Sequence, residues 1–209
     1  MIPAYILSKT FHTPKHLDIR ITPSDPNYAW KAGQWLDFAY MKNNMLQIAG
    51  YSFCSPQGKG EFSLLVRTST HPVTKWLFEE AQSGDEIHIG PASGSCIYEP
   101  NLHKEIICIA GGVGITPLIS MMRTAKLLRT KCTLYHSIKT QEERLFPSEV
   151  LLEHTYISEN GGRISFSHIG KKHGTSADYF LCGPRNFIDQ ACQELQQSNC
   201  NKLHFERWW

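Results

Sequence analysis

The segment IICIAGGVGITP, Ile106 to Pro117, leaves this chain few folds to adopt. Five apolar residues in succession, Ile106–Ala110, suit a strand covered on both faces, as in the middle of a parallel sheet. The run passes straight into Gly111-Gly112-Val113-Gly114, and a helix opens at Thr116-Pro117. Thr116 reads as the N-cap and Pro117 as the first helical residue, where a missing N–H costs nothing. Glycines let a ligand approach the backbone, and the free amides of a helix start attract phosphate. No Gly-Lys-Ser/Thr follows, which excludes a P-loop. Pro117 stands where the third glycine of G-x-G-x-x-G would fall. A phosphate-binding turn and a tight turn without ligand are both open on these residues alone.

A second segment, YFLCGPRNF (Tyr179–Phe187), again ends a strand in Gly-Pro and starts a helix. Two such loops at the carboxyl ends of parallel strands make the crevice in which open α/β sheets hold ligands. Cys182 faces that crevice in this reading; the alternative is a small apolar side chain filling a tight corner.

The chain has two rhythms. Up to about residue 100 it reads as short strands, Ala4–Ser8, Leu17–Thr22, Gln34–Tyr40, Ile48–Cys54, Glu61–Arg67 and Glu86–Ile89, separated by turn residues. One helix, Pro72–Gln82, places Val73, Trp76, Leu77 and Ala81 on one face. That pattern predicts a small antiparallel β-barrel with one helix over residues 1–100. Strand–helix alternation follows over residues 101–209: helix Pro117–Leu128, strand Thr133–Ile138, a short helix near Ser148–His154, strands Ile164–Ile169 and Tyr179–Cys182, helix Asn186–Gln197, and a last strand Lys202–Trp208. This predicts a two-domain chain whose second half is an α/β parallel-sheet nucleotide-binding domain.

Composition narrows the function. Lys+Arg 21 against Asp+Glu 19 gives a net charge of +2 and no basic stripe, which argues against nucleic acid and anionic membrane as partners. No apolar run approaches the roughly 20 residues of a membrane span, and the N-terminus lacks the pattern of a signal peptide. Seven cysteines, odd in number and never spaced C-x-x-C, argue against a disulfide framework and against zinc or iron–sulfur ligation. A cytoplasmic protein is expected. The 10 histidines show no metal-ligand spacing, and the absence of G-x-S-x-G leaves no nucleophile elbow.

The order barrel, GGVGITP, CGP, aromatic C-terminus resembles the ferredoxin–NADP reductase superfamily of flavin reductases. Within it the chain looks most like the oxidoreductase NAD-binding-domain-containing proteins, along nearly its whole length. The resemblance implies FAD, with FMN possible, on the barrel and NADPH or NADH on the second domain. The family's Arg-x-Tyr-Ser strand reads Ala49-Gly50-Tyr51-Ser52 here, so Tyr51, Ser52 and the adjoining Phe53 are implied flavin contacts, while the arginine is replaced. Arg67 is the candidate substitute for its charge. The family's Gly-x-x-Ser loop is His71-Pro72-Val73-Thr74, with Thr74 capping the helix and donating to phosphate. Gly111, Gly112, Gly114, Ile115, Thr116 and Pro117 would seat a pyrophosphate, and Cys182, Gly183 and Pro184 would steer the nicotinamide. Ser52, Cys182 and Glu206 are the implied catalytic residues around the reacting atoms, with Glu206 relaying a proton. Trp208 would stack on the flavin ring and Trp209 plug a gap between the domains.

The strand TLYHSIK ends without the acidic residue that holds the adenine ribose of NAD; Ser137, Lys139 and Arg144 would cradle a 2′-phosphate instead. The stretch between Pro147 and Asp178 looks short for the family's extra strand–helix unit. The expected activity is an NAD(P)H-dependent flavin oxidoreductase that passes electrons to a separate acceptor, a small molecule or a redox protein. A non-catalytic flavin- or nucleotide-binding module and an electron-transfer subunit of a complex are the alternatives.

Overall fold

The computed structural model describes residues 1–146 and 153–208, with the backbone alone described for Glu153, Arg207 and Trp208. The chain divides into two compact units, Met1–Ser95 and Cys96–Trp209.

In the first unit alternation of apolar and polar residues produces antiparallel strands β1 (Ile2–Thr13), β2 (His16–Pro23), β3 (Ala29–Trp30), β4 (Trp35–Lys42), β5 (Met45–Ser52), β6 (Gly58–Lys59), β7 (Phe62–Arg67) and β8 (Glu86–Ile89). Six of them form one sheet in the order β5-β4-β8-β1-β2-β7, and β3 and β6 make a small ribbon. Phe53, just past β5, pairs with Leu64 of β7, so the two edges meet and the sheet closes. The β4–β5 hairpin turns on Asn43 and Asn44, at φ 50° and 59°, the left-handed pair that a two-residue type I′ turn requires. Inside lie Ile6, Leu17, Ile19, Ile21, Leu36, Phe38, Leu64 and Ile87, with an aromatic group in which Phe53 stacks on Trp30 at 5.2 Å and meets Phe62 edge-on at 5.0 Å.

Helix α1 spans Pro72–Glu79, so the expected helix stops before Ala81. Val73 and Leu77 are buried on its inner face. Its cap is His71, whose Nδ1 accepts the Val73 N–H at 3.3 Å. Thr74 does not cap the helix as expected: it lies one turn too far in, and its hydroxyl is bonded to Tyr51 Oη at 3.0 Å.

The second unit holds a five-stranded parallel sheet in the order β11-β10-β9-β12-β13. Its strands are β9 (Glu105–Gly111), β10 (Lys131–Ile138), β11 (Glu153–Ile157), β12 (Asp178–Pro184) and β13 (Leu203–Trp208). The helices are α2 (Ile115–Leu127), α3 (Phe166–His173) and α4 (Arg185–Gln197). Ile107, Ile109, Tyr179 and Leu181 pack with Phe166 and Ile169 of α3 and with Ile188, Ala191 and Leu195 of α4. Helix α2 packs on β9, β10 and β12.

Two expectations for this half are corrected. Of the short helix near Ser148–His154, residues 148–152 lie outside the described residues, and Glu153–Ile157 is strand β11, paired in parallel with β10. The expected strand Ile164–Ile169 is instead the start of α3, nucleated where the Ser165 hydroxyl accepts the His168 N–H at 3.3 Å. The stretch between Pro147 and Asp178, short as it looks, carries both a strand, β11, and a helix, α3. It is accommodated by close packing: a Cβ on Gly170 of α3 would lie 2.9 Å from Ser198 Cβ and 3.3 Å from Leu195 Cδ2.

Candidate functional site

The strand order places β9 at the centre, with β10 and β11 on one side and β12 and β13 on the other. The chain reverses direction of sheet growth between β9 and β12, and this switch point is where the carboxyl ends of the strands leave a crevice. The glycine loop follows β9 and the Gly-Pro turn ends β12, so both predicted loops lie at that point.

Their contact is backbone against backbone. A Cβ on Gly114 would lie 2.3 Å from the Cys182 carbonyl oxygen and 2.8 Å from Gly183 N. A Cβ on Gly183 would lie 3.1 Å from Gly111 Cα, and one on Gly111 would lie 3.0 Å from Pro184 Cδ. A glycine is thus required at position 114, where a methyl would meet backbone, while at 111 and 183 a Cβ would make a tight contact between the two loops. Gly112 differs. It has φ +55° and a Cβ there would meet nothing within 4 Å, so its freedom serves the turn and leaves the loop surface open.

Gly112–Gly114 forms a single 3₁₀ turn, and α2 begins at Ile115 with Gly114 as its cap. Thr116 and Pro117 therefore stand inside the first turn of α2; Thr116 is not the N-cap. Pro117 is tolerated because first-turn N–H groups have no intrahelical acceptor. The Gly112 carbonyl accepts the Ile115 N–H and also lies 2.9 Å from Nε2 of the buried His136 on β10.

Beside these loops, Cys182 and Glu206 face each other in the register of β12 and β13, with Ala110 of β9 in the same row. Cys182 is buried and Glu206 partly so. Burial raises the Glu206 carboxyl to about 7, near neutrality. Burial pushes the Cys96 thiol up, and the nearby Glu206 and Cys182 push it further. Cys96 thus joins this group although no spacing in the sequence marks it. Ser137, opposite Gly111 in the β9–β10 register, sits one strand away at the same end of the sheet. Lys139 follows it, its N–H held by Glu143 Oε2 at 3.1 Å, so an acidic side chain shares the loop that carries Lys139 and Arg144. Trp208 ends β13 opposite Pro184; its side chain, and all of Trp209, lie outside the described residues.

In the first unit Tyr51 and Ser52 end β5. The Tyr51 phenol, raised to about 12 by burial with the Thr74 hydrogen bond partly offsetting, is anchored to α1 through Thr74. Ser52 is buried beside it. Arg67 is exposed at the end of β7. Phe53, expected to contact flavin, is wholly buried between Trp30 and Phe62 and has no face to offer a ligand. The donor set that is left, an anchored phenol, a serine hydroxyl and a guanidinium, fits the rim of a flavin and one phosphate charge.

Among the described residues one group has metal-ligand types close together: His103, Asp178 and His204, with ligand atoms within 4.8 Å of one another. His103 Nδ1 accepts the Glu99 N–H at 3.0 Å, so its proton is on Nε2 and neither nitrogen keeps a lone pair for a metal. His204 Nε2 lies 3.1 Å from Asp178 Oδ1 and stacks on Phe180 at 4.6 Å. This is a hydrogen-bonded network at the N-terminal end of the sheet, away from the glycine loops.

Comparison with known proteins agrees with this architecture. Residues 108–169 match the model of the oxidoreductase NAD-binding domain. The chain is 26% identical over 251 residues to the Xenopus laevis oxidoreductase NAD-binding domain-containing protein 1, covering 99% of this chain and 79% of that protein. A ferredoxin NADP+ reductase from Neisseria gonorrhoeae, solved with bound FAD and NADP, superposes with a TM-score of 0.82 at 18% identity, over 99% of this chain and 98% of that one. Full-length CYP116B46 from Tepidiphilus thermophilus gives a TM-score of 0.84 at 20% identity, and there the chain spans only 29% of the larger protein. No helix among the described residues is long and apolar enough to cross a membrane. In fold this chain is ferredoxin–NADP reductase-like, and part of its second unit, residues 108–169, is similar to the oxidoreductase NAD-binding domain.

Proposed function

We propose that this protein is a flavin-dependent NAD(P)H oxidoreductase that hands electrons to a separate acceptor. The observation that carries this reading is the backbone contact of Gly114 and Gly183 at the switch point, with the Cys182–Glu206 pair beside it. The amides that open α2 bind the pyrophosphate of NADPH or NADH. Cys182, Gly183 and Pro184 set the position of the nicotinamide ring, and Ser137, Lys139 and Arg144 take the adenosine phosphate. Tyr51 and Ser52 hold FAD or FMN through the phenol face and the hydroxyl, with Arg67 supplying positive charge. A bound flavin supplies the hydride acceptor and can release electrons singly. Glu206, poised near neutral pH, holds and moves a proton at its carboxyl. Among the described residues no disulfide joins any of the seven cysteines, which suits a reducing compartment such as the cytoplasm.

One observation favours a non-catalytic binding module instead: Ala49 stands where the family's arginine would be, and α1 spends its second amide on His71. The test is the visible spectrum of the purified protein after incubation with FAD or FMN, then with NADPH and NADH without oxygen. Flavin bands that bleach support the oxidoreductase. A protein that stays colourless yet binds nucleotide supports the module, and one that binds neither overturns both readings.

A further inference from the structure

We propose that His136 is a positioning residue for the dinucleotide, setting the direction of the amide that meets its pyrophosphate. The inference rests on the reading of the glycine loop as a dinucleotide site. His136 pairs with Ala110 in the β10–β9 register, and its ring reaches past the end of β9 to the Gly112 carbonyl at 2.9 Å. A carbonyl oxygen only accepts, so the ring carries its hydrogen on Nε2. The same oxygen takes the Ile115 N–H. Both of its lone pairs are then used, and the carbonyl is held towards the protein from two sides.

The consequence follows from peptide planarity. In a trans peptide the C=O of one residue and the N–H of the next point in opposite directions. With the Gly112 carbonyl turned to β10 and the start of α2, the Val113 N–H is turned away from His136. Nothing lies within 4 Å of a Cβ built on Gly112, so the loop has open space at that residue. A glycine at φ +55° also has little resistance to a peptide flip. A flip would present a carbonyl, the negative end of the dipole, to a phosphate. The Ile115 hydrogen bond alone tethers the peptide at one point; the buried imidazole adds a second, from a different strand.

The test compares wild type with His136→Leu, which removes the donor at similar volume, and His136→Gln, whose Nε2 can restore it. Binding of NADP+ and NAD+ is measured by calorimetry, and thermal melting checks that each variant folds. The expected result is about a tenfold loss of affinity for the dinucleotide in the leucine variant, recovered in the glutamine variant. Equal affinity in wild type and His136→Leu overturns the role of His136 while leaving the dinucleotide site standing. No binding by wild type overturns the site itself. The Val113 amide is followed in the wild type by ¹⁵N–¹H spectroscopy during titration with NADP+. A saturable downfield shift is expected. An unmoved Val113 amide alongside measured binding overturns the inference, and this readout decides alone should the leucine variant not fold.

Discussion

Cys182 and Glu206 stand opposite one another on neighbouring parallel strands, a thiol and a carboxyl in one row at the carboxyl end of the sheet. Burial raises the carboxyl to about 7 from 4.5. Activity that uses its proton should therefore change around pH 7, and Glu206→Gln should flatten the pH profile of NAD(P)H-dependent reduction. An inflection near pH 7 that survives in the variant would assign it to another group.

The same shift has a sign in stability. A folded-state value above the unfolded one means the native protein holds its proton longer. The stability Glu206 contributes is complete below about pH 4.5 and is lost as pH rises through about 7. At pH 8 Glu206→Gln should be the more stable protein, by about 1 kcal/mol after allowance for the screening of a half-exposed group. Urea melts at pH 4.5 and pH 8 measure the difference. A variant no more stable at the higher pH would contradict the burial argument.

Gly114→Ala should be the most damaging small substitution in the loops. The residue's φ of −59° suits alanine, so any cost is steric. The new methyl would need the space of the Cys182 carbonyl, 2.3 Å away. Separating α2 from β12 should cost about 3 kcal/mol in denaturant unfolding and abolish dinucleotide binding. Gly112→Ala should retain the packing and lose only about 1 kcal/mol to its positive φ.

Tyr51 and Thr74 form a pair across β5 and α1, 3.0 Å apart. Tyr51→Phe and Thr74→Val should each cost about 1 kcal/mol, and the double variant clearly less than their sum. Additive losses in a double-mutant cycle would show that the contact contributes nothing as a pair.

At the other end of the second unit, His204→Ala should destabilise by about 2 kcal/mol, because the buried Asp178 carboxylate loses its partner. Zinc added to the wild type should leave the melting temperature unchanged. A raised melting temperature would mean that His103 releases the Glu99 amide and ligates the ion.

How much of this could be read from letters depends on the range of each interaction. The run Ile106–Ala110 announced a buried central strand because burial on both faces leaves no polar position, and β9 is that strand. The barrel strands were visible for the same local reason, one face in and one out. The third strand of the parallel sheet was misplaced because Ile164, Phe166 and Ile169 suit either period; only the Ser165 cap decides, and a lone serine is a weak signal. Phe53 was read with its neighbours Tyr51 and Ser52, yet alternation sends the next residue into the barrel core against Trp30. Thr74 and Thr116 look like caps because threonine is a common one, whereas His71 and Gly114 hold those positions. His136 and Cys96 carried no local mark at all. Their positions matter through β10 and β13, which the chain brings alongside from far away in sequence.

The pairing of β1 with β8, Ile2 against Ile89, has a temporal meaning. A ribosome delivers about 5–20 residues per second, so the first strand emerges several seconds before its second partner. During that interval β1 has only β2 beside it, with one flank of amides and carbonyls open to any passing strand. A nascent chain stalled before Glu86 would lack the strand that joins β4 to β1. The first unit is therefore completed from its far end, and its most exposed moment in the cell falls during its own synthesis.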